Sequence, residues 1–270
     1  MASERRHARL GPSSSEIWTT CAGAPREWAK RPPKKAGWAA HEGVLAHTLC
    51  EAAIKRGGQV AWQAGQTFTV EGSIVEITPE MLDAVRMFVQ TVFRLADTAL
   101  WRATETEVSL SWLWGDEEPP DDIFGTTDFA ACDLTTLYVL DFKYGRGKAV
   151  GAESNTQLLM YALMVYGKLE KERPDLIAAI ETVCLVIIQP RAGGLKTWAI
   201  PVGELLYWGY GVLKPKIDAI CDPLENLELT PGNHCYFCAA AIDCEAYAQH
   251  RTAKSVASFP DVTEDMLEPV

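Results

Sequence analysis

Asp141-Phe142-Lys143 ends an apolar segment, and Asp128 closes the fragment Gly125-Thr126-Thr127-Asp128 a short way upstream. If both segments are strands, side chains alternate between faces. Asp141 and Lys143 then share one face while Phe142 points into the core. A hairpin joining the two segments brings two carboxylates and an ammonium together. That set suits phosphodiester hydrolysis. Carboxylate oxygens hold hard divalent ions such as Mg²⁺ or Mn²⁺. The ion activates water and stabilises charge on phosphorus, and the ammonium orients that water or stabilises the same charge. Taken alone, the same residues are better accounted for as a surface ion pair on an edge strand, a spacing that arises often by chance.

Two further pairs add to this set. Gln157 and Tyr161 are four residues apart, as are His47 and Glu51, so each pair occupies one face of its helix. Both helices are otherwise apolar, where a satisfied core histidine or a capped core tyrosine is the plainer account of either pair by itself. A different chemistry is written near the C-terminus. Cys235-Tyr236-Phe237-Cys238 and Cys244 give the spacing C-x2-C-x5-C, three thiols within ten residues, which points to a metal. Zinc would need a fourth ligand, with His234 and Asp243 as neighbours that could serve. An iron–sulfur cluster would need a fourth thiolate. Cys132 and Cys184 lie in apolar strands and Cys50 in a helix, all places where cysteine is an ordinary small core residue. Cys221 ends a helix without a local partner. Cys21 follows Trp18 in an irregular segment with no core demand to explain it.

The elements that must position these residues follow from periodicity. Residues 1–36 read as irregular, with Gly11-Pro12, a serine run and Pro32-Pro33. Helical spacing runs from Gly37 to Lys55 and stops at Gly57-Gly58. Residues 59–77 alternate as short strands. Thr78-Pro79-Glu80 opens a helix to about Trp101, with Thr78 as N-cap. Strands are predicted from Thr104 to Trp114, with Glu105 and Glu107 on one face, from Ile123 to Ala131, and from Leu137 to Tyr144. The turn between the last two is Cys132 to Thr136. After the loop Tyr144 to Lys148 come a helix from Asn155 to Arg173, a buried strand from Val183 to Ile188, a partner strand from Lys196 to Ile200, and a helix from Pro201 to Cys221 interrupted at Pro215. The fold class is α/β with helical additions.

Composition bounds the function classes. With 270 residues, 48% hydrophobic and 23% charged, the chain is an ordinary globular sequence of one large or two small domains. No apolar run reaches the roughly 20 residues of a membrane span, so no membrane partner is expected. Met1 to Gly11 is basic and polar without an apolar stretch, which predicts no secretory signal and a reducing, cytoplasmic setting. The net charge of −11 argues against coating nucleic acid by bulk electrostatics. The first 35 residues nevertheless carry +5, including Arg26, Lys30, Arg31, Lys34 and Lys35. The last ten hold four acids and no base.

Taken in order, Gly125-Thr126-Thr127-Asp128, Asp141-Phe142-Lys143 and Gln157-x-x-x-Tyr161 resemble the PD-(D/E)xK nuclease superfamily, most of all its RecB-type branch. The closer likeness is to a phage and prophage family of RecB-type nucleases. Its features are matched by Pro12-Ser13-Ser14 with Trp18-Thr19-Thr20-Cys21, by Glu42-Gly43 with His47, by Asp141 to Gly147, by a Gln-Leu-x-x-Tyr-Ala helix and by the terminal cysteines. The likeness covers about residues 12–250; Thr127 stands where the superfamily has its name-giving proline. It implies a restriction-endonuclease-like core, a central mixed sheet flanked by helices, with a C-terminal cysteine-rich module. The divisions are a basic segment at 1–36, a nuclease core at 37–227, an iron–sulfur module at 228–250 and an acidic tail at 251–270. Asp128 and Asp141, with the Phe142 carbonyl, would bind Mg²⁺ or Mn²⁺. His47 would be a further ligand, and Glu51 would join through water. Lys143 would assist the attacking water, and Gln157 and Tyr161 would contact DNA or order the site. Arg146 and Lys148 would grip phosphate. As in CRISPR-associated RecB-type nucleases and the AddB subunit, Cys21, Cys235, Cys238 and Cys244 would hold one [4Fe–4S] cluster, with Zn²⁺ as the alternative. The implied activity is a DNA exonuclease in phage recombination, replication or repair, with a recombinase or single-strand-binding protein as partner. The alternative is a catalytically silent DNA-binding or recombinase-recruiting module of the same fold.

Overall fold

The computed structural model describes residues 8–32 and 37–258, with side chains as far as 255. Lys34, Lys35 and the acidic residues 261–270 lie outside the described residues. The N-terminal stretch, expected to be irregular, contains a 3₁₀ turn at Pro12–Ser14 and two short helices, α1 (Ser15–Thr20) and α2 (Ala24–Trp28). Burial produces them. Trp18 is fully buried and its Nε1 donates to Gly11 O at 3.1 Å, folding the chain back on itself.

α3 (Trp38–Lys55) leads to a small hairpin, β1 (Thr67–Val70) and β2 (Ser73–Glu76), and then to α4 (Pro79–Ala96). Thr78 caps α4 as expected, its Oγ1 accepting from Met81 N at 3.1 Å. α4 ends five residues earlier than the periodicity predicts. The chain is captured there by the main sheet, where Leu100 N donates to Cys132 O at 2.8 Å, while Trp101 Nε1 donates to Glu172, outside the sheet, at 2.9 Å. Trp101 therefore opens β3 (Trp101–Ser109), and the residues expected to finish that strand form a 3₁₀ turn, Ser111–Trp114.

β4 (Phe124–Cys132) and β5 (Thr136–Phe142) form the expected hairpin. Asp133 Oδ1 accepts the amides of Thr135 and Thr136 at 2.9 and 2.7 Å, an Asx turn that sets its register. α5 (Thr156–Glu172) and the single turn α6 (Pro174–Ile177) carry the chain to β6 (Thr182–Gln189) and β7 (Gly194–Pro201). The sheet order is β3-β4-β5-β6-β7, antiparallel except for the parallel β5–β6 pair. This is the expected central mixed sheet flanked by helices.

The two faces of the sheet bury separate cores. Ala130 and Cys132 of β4, Leu137 and Val139 of β5, and Val183, Leu185 and Ile187 of β6 face α5. Phe129, Ala131, Leu140, Phe142, Val186 and Ile188 face α3 and α4. α5 is buried nearly all round, from Leu158 to Val165, which is why its sequence is apolar beyond one stripe. Gly167 lets α5 meet Trp112: a Cβ there would lie 2.1 Å from the indole ring. Gly167→Ala is expected to cost about 1–3 kcal/mol through forced repacking, read as a lowered melting temperature.

The last long helix also departs from expectation. α7 (Val202–Trp208) passes through a π-helical turn, Gly209–Leu213, directly into α8 (Lys214–Cys221). Pro215 does not break it. The widened turn absorbs the missing N–H and the ring's clash with the preceding turn. A 3₁₀ segment, Asn233–Phe237, and α9 (Glu245–Ser258) complete the order.

Candidate active site

Strand register assembles the site. Thr104 pairs with Phe129 and Thr106 with Thr127, so Glu105 falls opposite Asp128. On the other side the β4–β5 ladder ends at Phe129–Leu140, and the next cross-strand position sets Asp128 opposite Asp141. Three carboxylates therefore stand in one row across three strands, at points where the ladders are interrupted. The backbone is distorted to allow this: Glu105 has φ 42°, a conformation unfavourable for a side chain of its size and found preferentially at functional positions. Where β5 leaves β4, Asp128 Oδ2 takes the Phe142 amide at 2.7 Å, replacing a lost ladder bond.

α3 lays His47 over this row. Its Nδ1 lies 3.2 Å from Asp128 Oδ1 and 3.7 Å from Glu105 Oε1, and its ring meets Phe142 edge-on at 5.3 Å. Burial alone would discourage its charge, but the Asp128 and Glu105 carboxylates prevail and push its pKa up to about 10. Burial likewise opposes ionisation of Asp128, yet the His47 charge and the Phe142 amide hold its pKa below the usual carboxylate value. At Asp141 the opposite sign wins: burial, with the Asp128 charge adding to it, raises the pKa against the pull of Lys143.

α5 supplies the other side. Asn155 caps it, accepting from Leu158 N at 3.1 Å. Gln157 then donates to Asp141 Oδ1 at 3.0 Å and accepts from Lys143 Nζ at 2.9 Å, while Nζ also donates to Asp141 Oδ1 at 3.1 Å. Two of the three ammonium protons are thereby committed. Tyr161 is buried one turn on; burial first, then Asp141 and Asp128, push its phenol pKa well up, so it stays protonated. Its ring and that of Pro12 close on Gly125, where a Cβ would meet them at 3.0 and 3.1 Å. This close approach accounts for glycine at the head of Gly125-Thr126-Thr127-Asp128. It also gives Pro12 of the Pro-Ser-Ser segment a packing role, and the residue that follows the segment, Ser15, shares a 2.8 Å hydrogen bond with Thr156 of α5.

His47, Glu105, Asp128, Asp141, Lys143, Gln157 and Tyr161 line one open cleft of about 920 Å³. His47, Glu105 and Asp128 place one donor atom each within 4.8 Å of one another. The donor set fits a hard divalent cation, and the protonated imidazole between two carboxylates marks where positive charge is wanted. A metal taking His47 as ligand would displace that proton. Glu105 was not among the residues expected here. Its one sequence signal was its place beside Glu107 on a single strand face.

Other expected residues lie elsewhere. Glu51 pairs with Lys55 and does not line the cleft. Arg146 is bound to Glu80 at 2.6 Å, and neither it nor the exposed Lys148 lines the cleft. The basic N-terminal residues are also engaged: Arg26 with Leu227 O at 3.1 Å, Lys30 with Glu27 at 2.7 Å, and Arg31 with Asp243 at 3.3 Å.

Cys21, Cys235, Cys238 and Cys244 line a second, small cavity, which brings residues more than 200 positions apart to one place. Their sulfurs receive N–H groups: Thr230 N on Cys21, Gly232 N on Cys235 and Trp28 Nε1 on Cys238, each at 3.3 Å. Burial raises the thiol pKa of Cys21 and Cys235. His234 also lines this cavity, its ring turned to Thr230 O at 3.0 Å. Cys50 and Cys132 are buried in the two main cores and Cys184 packs against one of them, while Cys221 meets Arg9 at 3.1 Å.

Among solved structures, the chain is similar to that of a "Putative exonuclease" from Eubacterium rectale, with 8% identity, 90% of this chain and 92% of that chain covered, and a TM-score of 0.44. It is also similar to SSO0001, with 16% identity, 62% and 70% covered and a TM-score of 0.29. A third similarity is to protein VC1899 from Vibrio cholerae, with 11% identity, 81% and 57% covered and a TM-score of 0.22. The family model described as "Protein of unknown function (DUF2800)" matches residues 7–269, and the chain belongs to that family.

Proposed function

We propose that the protein is a metal-dependent DNA exonuclease of the RecB-type PD-(D/E)xK kind. The observation that carries this reading is the row Glu105, Asp128 and Asp141 in a single cleft with His47 and Lys143. Asp128, His47 and Glu105 would hold Mg²⁺ or Mn²⁺, with Asp141 and the Phe142 carbonyl completing the site. When bound, the ion supplies a lowered water pKa and neutralises charge on the scissile phosphate. Gln157 and Asp141 fix Lys143, leaving its third proton to orient the attacking water or a phosphate oxygen. Tyr161 keeps its phenolic proton and closes the floor of the site beside Gly125. Glu51 is a turn away and is assigned at most a water-mediated part, and Arg146 and Lys148 a part outside the cleft. The direct test is digestion of end-labelled DNA with Mg²⁺ or Mn²⁺. Products that require the ion support the assignment, and intact DNA with both ions rejects it.

Glu105 receives its own test. Glu105→Gln is expected to weaken Mn²⁺ binding about tenfold or more, since a charged oxygen donor is lost from a small set. Titration calorimetry with Mn²⁺ reads this directly; affinity equal to the parent's would remove Glu105 from the ligand set.

The four cysteines of the second cavity would carry a [4Fe–4S] cluster, with zinc as the competing metal. The three N–H···S contacts support thiolate ligation, because such donors stabilise sulfur charge. Anaerobically purified protein is expected to be brown and to contain about four irons per chain; stoichiometric zinc without iron would decide for the alternative. A role in phage recombination or repair inside the host cytoplasm, beside a recombinase or single-strand-binding protein, is the setting this activity fits. Among the described residues no helix is long and apolar enough to cross a membrane.

A further inference from the structure

The cysteine segment forms part of the cleft as well as its own cavity. Cys238 lies between Phe237 and Ala239, and both neighbours line the cleft that contains Asp128 and Lys143. Trp28 lines the same cleft while donating its indole N–H to Cys238 Sγ. Ile17 lines both cavities. Part of the cleft lining is therefore supplied by residues that adjoin the thiols in sequence, as Phe237 and Ala239 do, or in space, as Trp28 and Ile17 do.

Phe237 has no evident structural task there. It is 66% exposed, and its ring meets that of Tyr236, also exposed, edge-to-face at 4.9 Å and 87°. A solvent-facing aromatic ring at a cleft of mixed polar and apolar lining presents a flat apolar surface to whatever enters.

The charges of the cleft say what must supply the affinity. Its described lining includes four carboxylates, Glu105, Glu107, Asp128 and Asp141, against Arg9, Lys143 and His47. Arg9 is bound to Asp121 at 2.7 Å, and Lys143 to Asp141. Cations already paired with carboxylates neutralise few phosphates, so beyond the phosphate held at the ion few of the strand's own counterions are released and backbone attraction is weak. Stacking does not need such cations, and every base has a face to offer.

We propose that Phe237 is a base-stacking platform for a single-stranded DNA end, holding the strand so that its backbone reaches the carboxylate row. A duplex buries its base faces in its own stack, so only an unpaired or extruded base can lie on this ring. This inference rests on the nuclease reading and names the substrate form for it. It also gives the cysteine segment a task in substrate binding.

The experiment is steady-state cleavage, with Mn²⁺, of a short oligothymidylate, of its duplex with oligodeoxyadenylate, and of the same strand bearing abasic sites. Parent, Phe237→Ala and Phe237→Trp are compared. Because the ring is exposed, its removal should leave the fold in place, which circular dichroism checks. Phe237→Ala is expected to raise KM for the single strand about tenfold, within the range for loss of one stacked base. Phe237→Trp should restore it. The parent should favour the single strand over the duplex, and the abasic strand should erase the difference between parent and Phe237→Ala. Parent cleavage with KM unchanged in Phe237→Ala to within about twofold, a change worth little free energy, overturns the stacking site and leaves the nuclease reading intact. Preference for the duplex overturns it equally. A parent that cleaves neither substrate under any metal overturns the nuclease reading, and the stacking site with it.

Discussion

Asp141→Asn and Lys143→Ala are each expected to abolish DNA cleavage while the protein remains folded. Removing one charge-stabilising group from a preorganised site costs about 3 kcal/mol or more, a hundredfold or greater loss in rate. Asp141 is buried, and its Oδ1 accepts from both Lys143 and Gln157. Asp141→Asn keeps the side-chain shape and removes the charge, so Lys143 loses the counterion that holds it. In Lys143→Ala the Asp141 carboxylate loses its ammonium, and its already raised pKa should climb further. The fold should survive because neither side chain belongs to the two apolar cores. Single-turnover cleavage of labelled DNA, beside thermal melting of each variant, separates chemistry from stability. Rates within about threefold of the parent for both variants, far less than loss of a key electrostatic group should cost, would show the chemistry to be elsewhere.

The second large effect concerns Cys21. If it is the fourth cluster ligand, bonds to the cluster close a loop of about 214 residues, from Cys21 to Cys235. A cross-link over such a loop restrains the unfolded chain by roughly 5 kcal/mol in the chain-entropy account. Cys21 is buried beside Ile17 and Ala24, and its sulfur accepts the Thr230 amide. Cys21→Ser should lose iron and melting temperature together. Cys50→Ser, Cys132→Ser and Cys184→Ser should keep their iron, whatever they do to packing. Iron content and melting temperature across this series provide the check. Full iron in Cys21→Ser combined with iron loss in Cys221→Ser would transfer the fourth position to Cys221. That outcome runs against the geometry, since Cys221 lies beside Arg9 and outside the cavity lined by the other three cysteines. Arg26 and Arg31, which tie the N-terminal helices to Leu227 and Asp243, should also become mobile when the cluster is lost.

What was legible in the sequence is what short-range periodicity controls. Alternation at the end of β5 places Asp141 and Lys143 on one face, and the short turn at Asp133 fixes the hairpin register that sets Asp128 beside them. The four-residue spacing of Gln157 and Tyr161 settles their common helix face in the same way. The turn Cys132 to Thr136, the Thr78 cap and the C-x2-C-x5-C spacing are equally local. The tertiary structure decided what depends on register and on partners distant in the chain. Glu105 enters the carboxylate row because β3 pairs with β4 in one particular register, across a loop whose sequence does not specify it. Arg146 was legible as an exposed cation, but only packing brings Glu80 to within 2.6 Å of it. α4 stops at Ala96 because β4 captures Leu100, and Pro215 sits inside a continuing helix because a π-turn precedes it. Trp18 and Cys21 belong to an ordered helical segment because burial against α5 and the C-terminal cysteines stabilises helices too short to stand alone. Local spacing thus determined which chemical groups share a face, and the long-range closing of the chain determined which of them share a site.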